Sequence, residues 1–464
     1  MRDSLSKNVF FISIFFTAAC SSINSAEPVT ALPYQSAGQS AIPAVASARA
    51  QQGADPVVAE GAVAEKTAEE KTAEEKTAEY VQARSEEFGA CVAQLQSRAI
   101  AENLPDWVVN DVIGQLSFVP RVIELDRSQP EFTRSFAQYF NGRVSEKRIE
   151  TGRKKLAQHR DFLSELTRQY GVPGQYLVAF WGLETNFGSY LGNNSTLDSL
   201  ATLGCDPRRS TYFTDELFQA LQLITEGGID PAKMRGSWAG AVGHTQFMPS
   251  NYRRYARDGD GDGKIDLWNS ERDALASAAY FLQSLGWQTG QKWGREVRLQ
   301  ESFSYQLTGL KQAQPLHFWR EMSVTDIHGA SLPALDIDTA VLLPSGHRGP
   351  AFAVYPNFRV IMRWNRSEFF ALSVGHLADR IGGGGALRIS PPEDAPRLGR
   401  ELVISVQSHL AQQGFDPNGI DGVFGSGTKA AVKAFQRANA LVPDGFLDHA
   451  TLQAIVGNSQ PFGE

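Results

Sequence analysis

The sequence predicts a mainly α chain with a minor strand component, built as one large folded region followed by a small separate one. Three observations carry this. Apolar residues recur at helical spacing through most of residues 88–381. Only two short stretches, Val297 to Leu299 and Phe352 to Val354, read as strands. A break rich in Gly and Pro, from Gly382 to Pro396, then isolates residues 398–457, which have a helical pattern of their own.

Composition narrows the function classes. The chain has 464 residues, 42% of them hydrophobic, which is enough for a sizeable core. A net charge of −7 argues against a nucleic-acid partner and against general adhesion to anionic lipid. No CxxC, no HExxH and no His cluster is present, so zinc chemistry has no support.

The first residues read as a targeting segment. Arg2 and Lys7 form a weakly basic start, and Val9 to Phe16 a short apolar run. That run is too short to span a bilayer as a permanent helix. Residues 1–20 read as a signal peptide whose end, Thr17-Ala18-Ala19-Cys20, resembles a bacterial lipobox, in which Cys20 is lipidated and becomes the new N-terminus. Ser21 rather than Asp after the cysteine favours the outer membrane over the inner one. A plain secretory signal cut near Ala26 is the alternative. Either way the protein leaves the cytoplasm. With Cys20 lipidated, Cys91 and Cys205 remain as an even pair in an oxidising compartment, and a disulfide between them is expected.

Residues 21–85 read as a low-complexity tether. Ala, Gln, Gly, Pro and Ser dominate at first, followed by three copies of Glu-Lys-Thr-Ala-Glu over residues 65–79. Their i,i+4 charge pairs favour a transient helix, but without an apolar face it cannot dock, so a solvated spacer is expected. The large domain spans 86–382. Amphipathic segments begin at Val92 and after Asp106, and others run over 146–169, 175–187, 212–226, 273–285 and 367–381.

The 175–187 segment carries the most chemistry. Leu177, Phe180, Trp181 and Glu184 share one helical face, and Gly188 is well placed to end the helix. A glutamate on an apolar face pays for desolvation, so it keeps its proton to higher pH than in water. A general acid that protonates a glycosidic oxygen needs that state. The competing reading is a glutamate at the helix edge paired with an arginine.

The second dense block runs from Gly236 to Ser250. Its glycines allow close backbone approach, and Gln246 offers an amide donor and acceptor to a sugar. It is followed by an EF-hand-like loop. Asp258, Asp260, Asp262 and Asp266 stand at positions one, three, five and nine, with the Lys264 carbonyl at seven. Asn269 replaces the usual acid at position twelve, and Glu271 lies near enough in sequence to compensate. A structural calcium ion is expected there. Asp206, after Cys205, reads as part of a capped turn whose neighbouring arginines pair with acids, or as a second carboxylate for chemistry.

The C-terminal unit, 398–457, follows a linker over 383–397 and contains an internal echo. Asp421-Gly422-Val423-Phe424-Gly425-Ser426-Gly427-Thr428 is matched by Asp444-Gly445-Phe446-Leu447-Asp448-His449-Ala450-Thr451. This unit resembles the three-helix peptidoglycan-binding domain of cell-wall enzymes.

Over roughly 88–381 the chain resembles the membrane-bound lytic transglycosylase B family, which cleaves peptidoglycan glycan strands. The resemblance rests on Gly182-Leu183-Glu184-Thr185, the block from Gly236 to Tyr252, the acidic loop, Phe358-Arg359-Val360-Ile361 and Trp364-Asn365. It implies a lysozyme-like α+β catalytic domain with Glu184 as acid/base and Ser237, Gln246, Tyr280 and Asn365 lining the sugar cleft. It also implies one calcium loop. Where the family often has a tyrosine after the asparagine, Phe369 and Phe370 stand here, and they are expected to keep a stacking surface.

The expected activity is therefore periplasmic lytic transglycosylation by a monomer anchored to the outer membrane. Apart from Glu184, the cleft motifs offer no acid except Glu368, which belongs to the following helix. A glycosidase of the retaining or inverting kind needs two carboxyls. A muramidase with a hidden second carboxylate, such as Asp206, is one alternative, and a non-catalytic wall-binding anchor is another.

Overall fold

The computed structural model describes residues 68–128 and 134–457. The leader, Cys20 and the tether up to residue 67 lie outside the described residues. Helix α1 (Ala68–Ala101) begins inside the first Glu-Lys-Thr-Ala-Glu copy, so backbone that the composition assigns to a solvated spacer is helical. The i,i+4 charge pairs favour that conformation, and the helix they extend is anchored further on. Phe88, Leu95 and Ala99 are buried, and Arg84 reaches Asp206 at 2.8 Å.

Helices α2 (Pro120–Ser128) and α3 (Phe136–Arg143) lead to α4 (Glu146–Gln158) and α5 (Arg160–Tyr170). The periodicity reads the last two as one segment, but His159 breaks them. Its φ of −103° and ψ of 18° leave the helical region, while its ring meets the Glu271 carboxylate at 2.8 Å.

Helix α6 (Gly174–Thr185) is the centre of the large domain, and every residue in it except Gln175 is buried. It packs against α4, α5, α10 (Glu271–Ser284) and α13 (Glu368–Ile381). A helix covered on all sides needs apolar residues all round, which is why its apolar pattern extends beyond one face. It ends at Asn186 rather than Gly188. Asn186, Phe187 and Gly188 have φ of 50°, 60° and 79°, three left-handed residues in a row. Asn tolerates that region, whereas for phenylalanine it is a strained conformation.

Beyond α6, α7 (Thr196–Gly204) and α8 (Ser210–Gly227) form a pair over a second core, with α9 (Pro249–Tyr255) across α8. The Cys91–Cys205 disulfide ties α1 to the end of α7, with Cα atoms 5.9 Å apart. A two-stranded ribbon, β1 (Asn194–Ser195) with β2 (Arg235–Gly236), opens the glycine-rich block.

The two predicted strands are the inner pair of a larger sheet. β3 (Gly294–Arg298), β4 (Gln314–Pro315), β5 (Thr325–Asp326), β6 (Asp338–Leu342) and β7 (Ala351–Val354) pair antiparallel in the order β4-β6-β7-β3-β5. Glu296 stands opposite Phe352, and Ala340 opposite Val354. β6 is buried along four of its five residues, so its sequence lacks the alternation that marks a half-exposed strand. Helix α11 (Leu316–Glu321) covers the sheet, and α12 (Pro356–Trp364) leads from it back to the helical core.

The C-terminal module comprises α14 (Arg400–Gln412), α15 (Ser426–Ala438) and α16 (His449–Val456) around Val406, Leu410, Val432, Phe435 and Leu452. Its internal echo is a duplicated hydrogen-bond device. The Gln407 amide donates to Asp421, Val423 O and Thr428, and accepts from Gly422 N. The Gln436 amide does the same with Asp444, Phe446 O, Thr451 and Gly445 N. In each case a buried amide is satisfied by one Asp-Gly turn.

The predicted linker lies against the large domain. Backbone N–H groups of Arg388 and Ile389 donate to the Glu296 carboxylate, each at 2.9 Å. The module itself docks through Asp444, which accepts from the His347 backbone N–H at 2.9 Å and meets its ring Nδ1 at 2.7 Å. Lys433 donates to Thr308 O at 2.7 Å and to Thr308 Oγ1 at 2.8 Å.

The cystine closes a loop of 114 residues, and in the chain-entropy model such a closure contributes about 4–5 kcal/mol. Denatured protein from an oxidising compartment should therefore titrate with no free thiol at Cys91 or Cys205 until reductant is added. Reduction should lower the melting temperature by several degrees, and an unchanged melting curve after full reduction would contradict this role.

Candidate active site

Glu184 lies one residue before the end of α6, with only 4% of its surface exposed. Its Oε1 accepts a 3.0 Å hydrogen bond from the Trp364 indole at the end of α12. Burial pushes its pKa up to about 8, against the opposing effects of the Trp364 bond and the Arg143 charge. Arg143 is itself committed to the backbone beside Glu184, donating to Leu183 O at 3.2 Å. The paired-arginine reading is therefore not realised, and the carboxyl is a protonated acid near neutral pH.

Trp364 is held by aromatic neighbours from three elements. Its ring lies 4.4 Å from Phe180 of α6, 5.2 Å from Phe281 of α10 and 5.4 Å from Phe247 of the glycine-rich block. Locked in this box, the indole presents its N–H to Glu184 from a fixed position.

The glycine-rich block is pinned to the other side of α6 by His244. Its Nδ1 accepts from the Trp181 indole at 3.0 Å, and its carbonyl accepts from Thr185 Oγ1 at 2.8 Å. The indole can only donate, so Nδ1 carries no proton, and burial accordingly lowers the His244 pKa. Gly188 makes this contact possible. A Cβ there would stand 2.3 Å from the His244 ring, so the glycine serves close approach as well as its positive φ.

Between these elements opens a cavity of about 330 Å³. Of the sequence-predicted residues it brings together Glu184, Gln246 and Asn365. Both Gln246 amide protons go to backbone, to Leu191 O at 3.1 Å and Gly243 O at 3.0 Å. What Gln246 offers a ligand is thus an acceptor oxygen, where the sequence allowed both roles. Asn365 Oδ1 accepts from Ser367 N at 3.0 Å, which leaves its amide group as the donor end.

The other two predicted cleft residues do not line this cavity. Ser237 closes a tight turn, its hydroxyl accepting from Ala241 N at 3.1 Å. Tyr280 lies beneath the Arg257 guanidinium, 3.6 Å from its ring centre, and beside Tyr255, which does line the cavity. Phe369 and Phe370 do not line this cavity. Phe369 packs on Phe136 and Tyr139, and Phe370 is buried against Phe180.

Asp206 is also far from a catalytic role. It accepts from Arg84, Arg127 and its own turn at Arg208 N, as the capped-turn reading expects. A different second carboxyl does face the cavity. Glu216 of α8 is 5% exposed and bonded to Ser250 at the start of α9. Its signal was present in the sequence, because Phe213, Glu216, Leu217, Ala220, Leu221 and Ile224 share one helical face.

The acidic loop brings carboxylate oxygens of Asp258, Asp260 and Asp262 within 4.8 Å of one another. Hydrogen bonds from Gly263 N and Gly261 N lower the Asp258 pKa, so it is an acceptor throughout the physiological range. An all-oxygen donor set of this kind fits a hard divalent cation. Asn269 turns its amide to Asp266 at 2.7 Å. Glu271 does not substitute for the missing acid, since its carboxylate pairs with Lys155 at 2.7 Å and with His159. Buried Asp273 instead clamps the loop, accepting from Gly259 N and Asp266 N, each at 2.8 Å.

Residues 87–379 match the family model described as a transglycosylase SLT domain, and residues 399–455 that of a putative peptidoglycan binding domain. The chain belongs to this family of lytic transglycosylases. It is similar to the crystal structure of SltB3 from Pseudomonas aeruginosa in complex with NAG-anhNAM-pentapeptide, at 40% identity and a TM-score of 0.76. That match covers 79% of this chain and 99% of SltB3. Escherichia coli lytic transglycosylase Slt35 in complex with calcium matches at 27% identity and a TM-score of 0.56, over 63% of this chain and 93% of that one. Membrane-bound lytic murein transglycosylase B of Escherichia coli (strain K12) is 35% identical over 237 residues. That alignment takes in 48% of this chain, and the chain spans 61% of the relative's length.

The raised Glu184 pKa gives a signed expectation. In the native state the proton stays on to about pH 8, whereas unfolded glutamate loses it near 4.5. Stability from this group is complete below pH 4.5 and is lost as pH rises through about 8. Glu184→Gln, which cannot ionise, should melt above wild type by a margin that grows from pH 5 to pH 8. Activity should fall at least ~10²-fold in this variant. In wild type kcat/KM should decline above pH 8, and Trp364→Phe should move that limb to higher pH. A Glu184→Gln enzyme with more than a tenth of wild-type turnover would place the acid elsewhere.

Proposed function

We propose that the protein is a peptidoglycan lytic transglycosylase that cleaves the β-1,4 bond between N-acetylmuramic acid and N-acetylglucosamine. The observation that carries this is Glu184, a carboxyl kept protonated by burial at the edge of a cavity that also presents Gln246 and Asn365. It gives its proton to the bridging oxygen as the bond from that oxygen to the muramyl anomeric carbon breaks. The resulting carboxylate takes the proton of the muramyl 6-hydroxyl, whose oxygen closes onto the anomeric carbon. Glu184 is thereby restored, the product is a 1,6-anhydromuramyl end, and no water is consumed. The attacking hydroxyl is on the same sugar and so acts at high effective concentration.

Hydrolysis is the second reading, favoured by the presence of Glu216 in the same cavity. The products separate the two. Digested cell wall should yield muropeptides lighter by one water than hydrolysis products, with muramyl ends that borohydride does not reduce. Newly reducible muramyl ends would establish a muramidase instead.

The remaining functional assignments are consistent with this activity. The C-terminal module holds the enzyme on peptidoglycan, and lipid on Cys20 anchors a monomer to the periplasmic face of the outer membrane. A cystine suits that oxidising compartment. The name of the Escherichia coli relative, a membrane-bound murein transglycosylase, points the same way.

Calcium is assigned to the clustered Asp258, Asp260 and Asp262, and the loop spacing adds the Lys264 carbonyl and Asp266 at positions seven and nine. When bound, the ion supplies charge neutralisation and rigidity, not chemistry. The loop has purchase on the site. Leu267 O accepts from His244 N at 2.9 Å, Arg235 O accepts from the Trp268 indole at 2.7 Å, and Ile265 O accepts from the Tyr252 hydroxyl at 2.6 Å. Chelation should lower the melting temperature and millimolar calcium restore it, because a ligand bound only to the native state stabilises it. Melting that is indifferent to saturating calcium would remove the ion from this account.

A further inference from the structure

Glu216 is the second carboxyl of the cavity, and nothing in the reaction above uses it. It sits on the buried face of α8, and both of its oxygens are committed to one residue. Ser250 Oγ donates to Oε1 at 2.6 Å and Ser250 N donates to Oε2 at 2.9 Å. Ser250 is the second residue of α9, directly after Pro249. Backbone N–H groups in a first helical turn have no partner within their own helix, and negative charge is favoured there. Glu216 thus caps α9 from a neighbouring helix.

The capped helix is joined to the ligand-facing part of the glycine-rich block. Gln246, Phe247 and Met248 all line the cavity, and α9 starts at the next residue. The opposite end of the α8–α9 contact is held by Arg253, which reaches Glu226 at 2.8 Å and Gln219 at 2.7 Å. Those contacts are exposed and contribute little. The part-buried Glu216–Ser250 pair is the stronger determinant of where α9, and the segment entering it, lies.

We propose that Glu216 is a positioning residue for substrate binding, acting through Ser250 on the Gln246–Met248 wall of the cavity, and not a second catalytic carboxyl. The inference rests on the transglycosylase reading and extends it by giving the second carboxyl a role outside the reaction. The geometry also fixes the carboxyl toward α9, because the backbone N–H can only donate and is held at Oε2 while the hydroxyl is held at Oε1.

The test uses the full chain and soluble disaccharide-peptide repeats of peptidoglycan, with Glu216→Gln, Glu216→Ala, Ser250→Ala and the double alanine variant. Gln keeps both contacts, accepting the N–H at its oxygen and donating to Oγ from its nitrogen. Glu216→Gln should therefore hold kcat within an order of magnitude of wild type. Glu216→Ala should raise KM at least tenfold with a smaller change in kcat. Ser250→Ala should raise KM less, because the N–H bond survives, and its effect should be largely absorbed in the double variant. A kcat loss of 10²-fold or more in Glu216→Gln with KM unchanged would make Glu216 catalytic and overturn the proposal. Additive effects of the two alanines, or an unaltered KM in folded Glu216→Ala, would overturn it as well. Should Glu216→Ala fail to fold, Ser250→Ala with its KM-against-kcat split carries the test. Product analysis of wild type judges the transglycosylase reading separately, since reducing ends there would sink that reading whatever the variants do.

Discussion

The structure depends on placing one ionisable side chain at the end of a helix that is buried on every side. A carboxyl without water resists ionisation, so α6 converts glutamate, ordinarily a carboxylate at neutral pH, into an acid with a proton to give. Burial on that scale needs a layer on each flank. The helices α4, α5, α10 and α13 supply them, and α12 brings the carboxyl's hydrogen-bond partner among the described residues, the Trp364 indole. Loosening any flank would admit water and return Glu184 toward its ordinary pKa.

A second requirement follows from the first. A helix with no exposed face offers the cavity little beyond Glu184, so the other ligand contacts come from elements laid against its C-terminal end. The left-handed run from Asn186 to Gly188 turns the chain sharply away and clears space for His244. Through the Trp181 and Thr185 bonds His244 then fixes the glycine-rich block. The acidic loop secures that block from behind, and Glu216 secures its exit into α9. Glu216 and Glu184 show how two buried glutamates in one cavity acquire different roles. Burial raises the pKa of both, but one has a single indole donor, while the other accepts two Ser250 hydrogen bonds that oppose the rise.

The C-terminal module shows a similar reuse of one side chain. Asp444 completes the second Asp-Gly turn with Oδ1 and receives His347 with Oδ2, so the residue that folds the module also docks it. Its counterpart in the first turn, Asp421, uses the same internal bonds. Duplication of a folding device thus left one copy available for attachment to the large domain.

Local pattern was enough for whatever depends on neighbours along the chain. The helical period of Leu177, Phe180, Trp181 and Glu184 marked the acid, the Asp258–Asp266 spacing marked an oxygen-rich turn, and the echo in 398–457 marked a duplicated unit. Elements were misjudged where partners distant in sequence decide the outcome. His159 splits a helix because Glu271 holds its ring, and β6 hides its period because both of its faces are covered. The cavity itself is such a case, since Glu184, Glu216, Gln246 and Asn365 come from four separate elements. So is the packing of Phe369 on Phe136 and of Phe370 on Phe180. The sequence by itself determined which stretches are helical and which polar side chains stand on apolar faces, because periodicity and charge are local properties. Only the tertiary structure decided which of those side chains meet, in what protonation state and with which hydrogen bonds already taken, because burial and partnership are set by the whole packed chain.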